Sequence, residues 1–355
     1  MAEITRYVNT ASTAGGDGTS NNTTGSDRAY ASLDEACNAE AADLVTAGDN
    51  LVILCEGSTA DDISASFTNT AWVTSATNDV LIKPNTGQEH SGVWNTGIYR
   101  LTKGLGNSQI NHLTLERLQI TEHPTISTED VLNYGVGLDS GKQEAHGCLI
   151  KIDHSDAEAV GSGINIQDSS PNYRFSNNII YVADSSNHTS VGSGIALVGS
   201  GGRYWVYNNT IAGAFGSGIY VVGTNSHIRN NIIDGATNCL AGNTPNTEQY
   251  NAASDATVSG TGSRTNQTFT YEAGTDNYLL SNSDAGAKDF GEDLSGDANL
   301  AITDDIVGTS RPQGSAYDIG ATEVSAAGKT LHSTFFGPTG VVQAVIGSIG
   351  SRVII

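Results

Sequence analysis

Basic side chains are scarce in this chain. Sixteen Lys and Arg stand against 38 Asp and Glu, leaving a formal charge of -22. A nucleic acid would be repelled, because phosphate recognition rests on basic patches. The surface is kept soluble by carboxylates, as suits salty water. Four cysteines, Cys37, Cys55, Cys148 and Cys239, sit far apart with no CxxC pair. That excludes a regular disulfide framework and reads as buried thiols. No run reaches the roughly 18 apolar residues of a membrane span. The opening MAEITRYVNT lacks a basic start followed by an apolar stretch, so no secretory signal is read and synthesis in the cytoplasm is expected. Hydrophobic residues make up only 37% of the chain, yet 13 Tyr and 3 Trp argue against disorder.

Small polar residues take up the space. Gly, Ser, Thr and Asn account for 145 of 355 positions, which excludes a conventional helical globule. A chain this long normally forms two or more domains unless it is one repeat array.

Residues 1–30, through the run GGDGTSNNTTGS, have no period and read as a loose N-terminal arm. Ser32 and Glu35 then form a capping-box spacing, and Leu33, Cys37, Ala41, Leu44 and Val45 share one helical face. The spacing predicts a helix over 32–46, ended by the turn Gly48-Asp49-Asn50 and followed by the strand LVILC. From there to about residue 240, short apolar runs alternate with Gly, Asn and Ser, too closely for crossover helices.

The decisive feature is self-similarity. VGSGINI, VGSGIAL and FGSGIYV begin at 160, 191 and 215, while FSNNII, VYNNTI and IRNNII begin at 175, 206 and 228. Both series shorten at the same turn, as if one loop had lost about eight residues. A repeat of two or three short strands without helices predicts an all-β right-handed parallel β-helix, a solenoid whose equivalent residues stack about 4.8 Å apart. Inward Ile, Val and Leu fill the core, and Gly and Asn take left-handed corners. The pairs Asn177 and Asn178, Asn208 and Asn209, and Asn230 and Asn231 are expected to form an asparagine ladder, amide to amide. The predicted divisions are an arm at 1–30, a capping helix at 31–50, the β-helix body at 51–324 with irregular loops at 241–300, and an apolar C-terminal tail at 325–355. In that tail Phe335, Phe336, Val342, Val345, Ile346, Ile349 and Val353 are candidate anchoring residues. The last five keep a helical spacing that Gly347 and Gly350 oppose.

The opening RYVNTAST with AYASLDEA, the GSGI and NNII rungs, and the terminal DIVGTSRPQGSAYDIGATEV together resemble pectate-lyase-like right-handed β-helix proteins, most of all those of phage and prophage virions. The resemblance spans residues 6–324. It implies a β-helix fold but not one activity, since such folds carry lyases, hydrolases, tailspikes and inert structural proteins. A lyase of this kind implies an acidic calcium cluster with an Arg or Lys nearby as base.

Aligning the repeats puts Asp153 over Asp184, one rung apart, the weak candidates for a calcium site; the alternative is that both splay into solvent. His154 and Asp156 adjoin this pair. Arg203, His227 and Arg229 on consecutive rungs are candidates for holding an acidic sugar, or for simple offset of negative charge. Tyr204 and Trp205 are candidates for sugar stacking, or for packing one aromatic inward. HExxH, GxSxG and phosphate-loop signatures are absent, and no catalytic residue or cofactor is assigned. The expected function is a non-enzymatic virion protein of a tailed bacteriophage. The expected role is a capsid decoration or surface appendage, homotrimeric and fastened to other virion proteins, such as a capsid or tail protein, by its terminal segments. The alternatives are a tailspike or depolymerase acting on host polysaccharide and a glycan-binding adhesin.

Overall fold

Three parallel sheets wind around one apolar core. A computed structural model of the chain describes residues 2–62, 65–66, 69–102, 104–106, 110–122, 132–134, 142–152, 161–167, 172–183, 191–199, 201–223, 225–325, 332–337 and 340–345. The first sheet has nine strands, Ala2–Asn9, Asp49–Glu56, Val80–Pro84, His112–Glu116, Lys142–His146, Asn172–Ser176, Arg203–Tyr207, Ser226–Arg229 and Thr247–Gln249, stacked in chain order. The second has six, from Gln119–Glu122 to Ala252–Ala253, and the third seven, from Ala65–Ser66 to Asn238–Gly242. Each full turn visits the three sheets in succession. Equivalent residues of the repeats are register partners: Ile179 pairs with Thr210 and Ile180 with Ile211, and Ser193 pairs with Ser217. The chain is therefore a parallel β-helix.

The two repeat motifs exist because they pack against each other. A Cβ built on Gly163 would lie 2.5 Å from Ile180 Cγ2, on Gly194 2.4 Å from Ile211 Cγ2, and on Gly218 2.1 Å from Ile233 Cγ2. Each would also press on a carbonyl oxygen of the next rung at 2.6–2.7 Å. The second glycine of GSGI is thus the space that the last isoleucine of NNII fills. The shortening of the repeat falls between the second and third sheets. Eight residues separate Ile179–Val182 from Val191–Leu197, but only two separate Thr210–Ala212 from Phe215–Val221.

The asparagine pairs divide their work, which refines the expectation of a single ladder; of the first members, Asn230 Nδ2 donates to Asn208 Oδ1 at 3.3 Å. The first member of each pair is a corner in the left-handed region: Asn177, Asn208 and Asn230 have φ of 54°, 53° and 56°. The same corner is Arg117 (φ 53°), Gly147 (φ 64°) and Tyr250 (φ 53°) on other rungs. The second member points inside and makes the ladder. Oδ1 of Asn209 accepts from Asn178 N and Nδ2 at 3.0 and 2.9 Å. Oδ1 of Asn231 accepts from Asn209 in the same way. Asn251 continues the stack beyond Asn231, and Cys148 N closes it by donating to Asn178 Oδ1. Regular rungs therefore run to residue 253, inside the stretch expected to be irregular loops.

The N-terminal arm is also more ordered than its composition predicts. Ala2–Asn9 is a full strand, in parallel register with Asp49–Glu56 over eight residues. The predicted helix is split into Leu33–Ala39 and Leu44–Ala47. Ser32 Oγ accepts from Glu35 N, but the Glu35 carboxylate reaches Ala31 N and Gly15 N instead of closing the capping box. Asp43 caps the second helix and Gly48 ends it with φ 75°. The break leaves Val45 exposed, off the buried face of Leu33, Cys37 and Leu44.

Residues 269–324 return along the outside of the second sheet. Leu149, Ile179, Tyr181 and Ala212 pack there against Ile306 and Ala321, and Ile232 against Phe269, Leu280 and Ile319. This is why both isoleucines of NNII are buried. The corner asparagines hold the returning chain: Asn177 Nδ2 donates to Asp304 O, and Asn230 both donates to Glu292 O and accepts from Glu292 N. The motif DIVGTSRPQGSAYDIGATEV forms a buried polar knot. Arg311 donates to Glu323 Oε2 at 3.0 Å and to the carbonyls of Asp304, Asp318 and Gly320, while the Asp305 and Glu323 carboxylates accept backbone N–H groups. All four cysteines are free and buried. Burial pushes the Cys148 thiol up to about 12.

In the tail, His332–Gly337 and Gly340–Val345 form an antiparallel hairpin pairing Phe335 with Val342 and Phe336 with Val341. Val342 and Val345, whose helical spacing Gly347 and Gly350 oppose, thus lie on a strand. Ile346, Ile349 and Val353 lie outside the described residues. No helix among them is long and apolar enough to cross a membrane.

Candidate functional site

Alternation places every second residue of the first sheet on its outer face, where register lines them into columns. One column runs Thr114, Glu144, Arg174, Trp205, His227, Thr247. Glu144 is shared by Lys142 at 2.6 Å and Arg174 at 3.2 Å. The Arg174 guanidinium lies 5.2 Å from the Trp205 ring centre, and the His227 ring stacks on the other side at 5.9 Å. Burial holds His227 below the ordinary histidine range, and its Nδ1 is 3.1 Å from Thr247 Oγ1. The neighbouring column runs Glu116, His146, Ser176, Tyr207, Arg229, Gln249. Arg229 lies over Tyr207 and pairs with Glu292 at 2.5 Å and Asp297 at 2.8 Å.

These contacts decide between the readings of the aromatic strand. Tyr204 points inward and stacks on Tyr173 at 5.6 Å. Trp205 points outward but keeps only 4% of its surface, because Leu294 and Ile302 pack over it and Tyr207. It is not an open platform for a sugar. Arg203, His227 and Arg229 do not converge: Arg203 is exposed opposite Asn172, His227 is spent on Trp205, and Arg229 is neutralised by the returning chain. Asp153, Asp184, His154 and Asp156 lie outside the described residues. Among the described residues no group of three His, Cys, Asp or Glu is placed to hold a metal ion.

Further towards the N-terminus, the same face opens into a cleft of about 230 Å³ lined by Leu54, Lys83, Pro84, Asn85, Thr86, Glu89, Glu116 and Arg117. Leu54 and Lys83 are register partners, and Arg117 is the left-handed corner of its rung. Asn85 Nδ2 donates to Glu56 Oε2 at 2.6 Å, fixing the rim. His90 Nε2 is 2.9 Å from Gly147 O and its Nδ1 accepts Gly92 N–H. Burial lowers its pKa to about 4, so the ring is neutral. Sequence reasoning missed this cleft. The signal was available in the repeat itself, because extending the alignment back through AHGCLI to LERLQI places Arg117 where AHGCLI carries Gly and the NN motifs carry Asn.

No family model matches the chain, and no curated protein matches it. Among solved structures, the crystal structure of pectate lyase Pel9A is similar over 91% of this chain and 96% of that one, at 12% identity and a TM-score of 0.30.

Proposed function

We propose that the chain is a non-enzymatic structural protein, a right-handed β-helical rod displayed on the virion of a tailed bacteriophage as a capsid decoration or surface appendage. One observation supports this reading above others. On the rungs from Lys142 to Gln249, the charged and aromatic side chains on the outer face of the first sheet, Arg203 excepted, are committed to one another and to the returning segment: Glu144 bridges Lys142 and Arg174, and Arg229 holds Glu292 and Asp297. Such a face stiffens a rod. With Ala2–Asn9 built into the first sheet, the tail at 325–355 is the better anchor, and homotrimerisation with attachment to a capsid or tail protein belongs to the same proposal. The experiment is mass spectrometry of intact particles, with copy number, beside a variant lacking residues 326–355. Many copies per particle, lost on deletion from a protein that stays folded, support the reading. Absence from purified particles overturns it.

A second reading, a polysaccharide depolymerase or glycan-binding adhesin, is favoured by the cleft at Lys83 and Arg117. Release of reducing ends or unsaturated products from capsular polysaccharides supports the depolymerase form.

A further inference from the structure

Cations are few in this chain, and the described ones are nearly all engaged. Arg6 pairs with Glu40, Lys151 with Asp276 and Arg311 with Glu323; Glu144 takes Lys142 and Arg174, and Arg229 has two carboxylates. Arg28 and Arg100 donate to backbone carbonyls, Arg264 to Gln267 and Lys288 to Asn282. The side chains of Lys83, Arg117 and Arg203 alone among those of the described cations make no hydrogen bond or ion pair with a described residue. Two of these three line the same cleft. In a chain of charge -22, carboxylates to pair with are plentiful, so two neighbouring half-buried cations left unpaired call for a reason.

The backbone points the same way. A left-handed conformation costs a residue with a side chain roughly 1 kcal/mol, and four of the other rungs of this corner use Gly147 or asparagine, Tyr250 at the C-terminal rung being the exception. Space is cleared for Arg117 on two sides. A Cβ on Gly147 would lie 3.2 Å from Arg117 Cγ, and a Cβ on Gly308 2.5 Å from its Nη2. Strain kept in this way is characteristic of ligand sites.

We propose that this cleft binds a small monocarboxylate carrying hydrogen-bond donors, an α-hydroxy or α-amino acid. Its carboxylate lies between Lys83 and the Arg117 guanidinium, which supply charge-assisted bonds. Glu116 and Glu89, which also line the cleft, repel a second negative charge and accept from the hydroxyl or ammonium group. Asn85 and Thr86 add neutral polar contacts, and the cleft volume of about 230 Å³ suits a molecule of this size. The site is independent of what the rod is attached to.

The test is titration of the full chain with L-lactate and with L-alanine, followed by amide chemical shifts, with inorganic phosphate as a dianion control. Arg117→Asn removes the cation but keeps a residue that three other rungs already hold in this backbone conformation, so its fold is preserved. Lys83→Met is the second variant and Arg203→Gln the control. Binding of lactate, alanine or both, weakened tenfold or more by Arg117→Asn and by Lys83→Met but not by Arg203→Gln, is expected. Lactate alone identifies a hydroxy acid and alanine alone an amino acid. No response to either probe, equal binding by both cleft variants, or phosphate binding as tightly as the monoanions overturns the proposal.

Discussion

Asn178 gives both its backbone N–H and its side-chain Nδ2 to a single oxygen, Oδ1 of Asn209, at 3.0 and 2.9 Å. Asn209 repeats the gesture towards Asn231 and also donates to Phe175 O on the rung behind. Each amide thus satisfies buried groups on two other rungs, where water cannot substitute.

Asn209→Leu therefore strands the buried N–H of Asn178 and one of its two Nδ2 hydrogens, the other still donating to Ala145 O. At about 1–3 kcal/mol for a buried polar group left unpaired, a loss of about 3 kcal/mol in stability is expected. Denaturant unfolding checks it; a change below about 1 kcal/mol would mean the ladder is ornamental.

Gly194→Ala sets a methyl 2.4 Å from Ile211 Cγ2 and 2.7 Å from Gly218 O. Because one of these is backbone, repacking cannot absorb it, and a cost of about 1–3 kcal/mol is expected. Gly296 has open space around it, so Gly296→Ala should be neutral in the same melting experiment.

His90 carries a pH signature. Its pKa falls from 6.5 to about 4 on folding, mainly through burial. The folded state thus binds fewer protons than the unfolded one, and the contribution is full above pH 6.5 and lost as pH falls through 4. Wild type should lose about 2–3 kcal/mol across that window relative to His90→Gln, measured by urea unfolding at pH 4 and 7.

The Arg311 knot titrates with the opposite sign. Burial, then the nearby Glu323 carboxylate, raise the Asp318 pKa from 3.8 to about 7. Its contribution is full below pH 3.8 and lost as pH rises through 7, and carboxyl-carbon chemical shifts should place the midpoint near neutrality. Arg311→Met leaves buried Asp305, Asp318 and Glu323 without their guanidinium, at an expected cost of about 3–5 kcal/mol. The loss should be smaller at pH 5 than at pH 8.

The coil was legible in the sequence wherever one rung repeats the residues of the next. GSGI and NNII located the third sheet, the corners and the ladder, because the same packing problem recurs and is solved by the same residues. Ala2–Asn9 was hidden because it pairs with Asp49–Glu56 without sharing a motif with it. The split role of each asparagine pair was hidden because one letter serves both a left-handed corner and an inward amide. The cleft escaped for a related reason: Lys83 and Arg117 are 34 positions apart and meet only when the rungs are stacked. Trp205 looked available in sequence because its cover, Leu294 and Ile302, arrives from almost a hundred residues downstream.

The ladder also fixes how the rod answers force. Its amides all point one way, and each grips two other turns, so sliding any turn by a single residue would break bonds above and below together. Neighbouring turns cannot ratchet past one another, and shear along the axis must rupture the thread cooperatively instead of loosening it turn by turn.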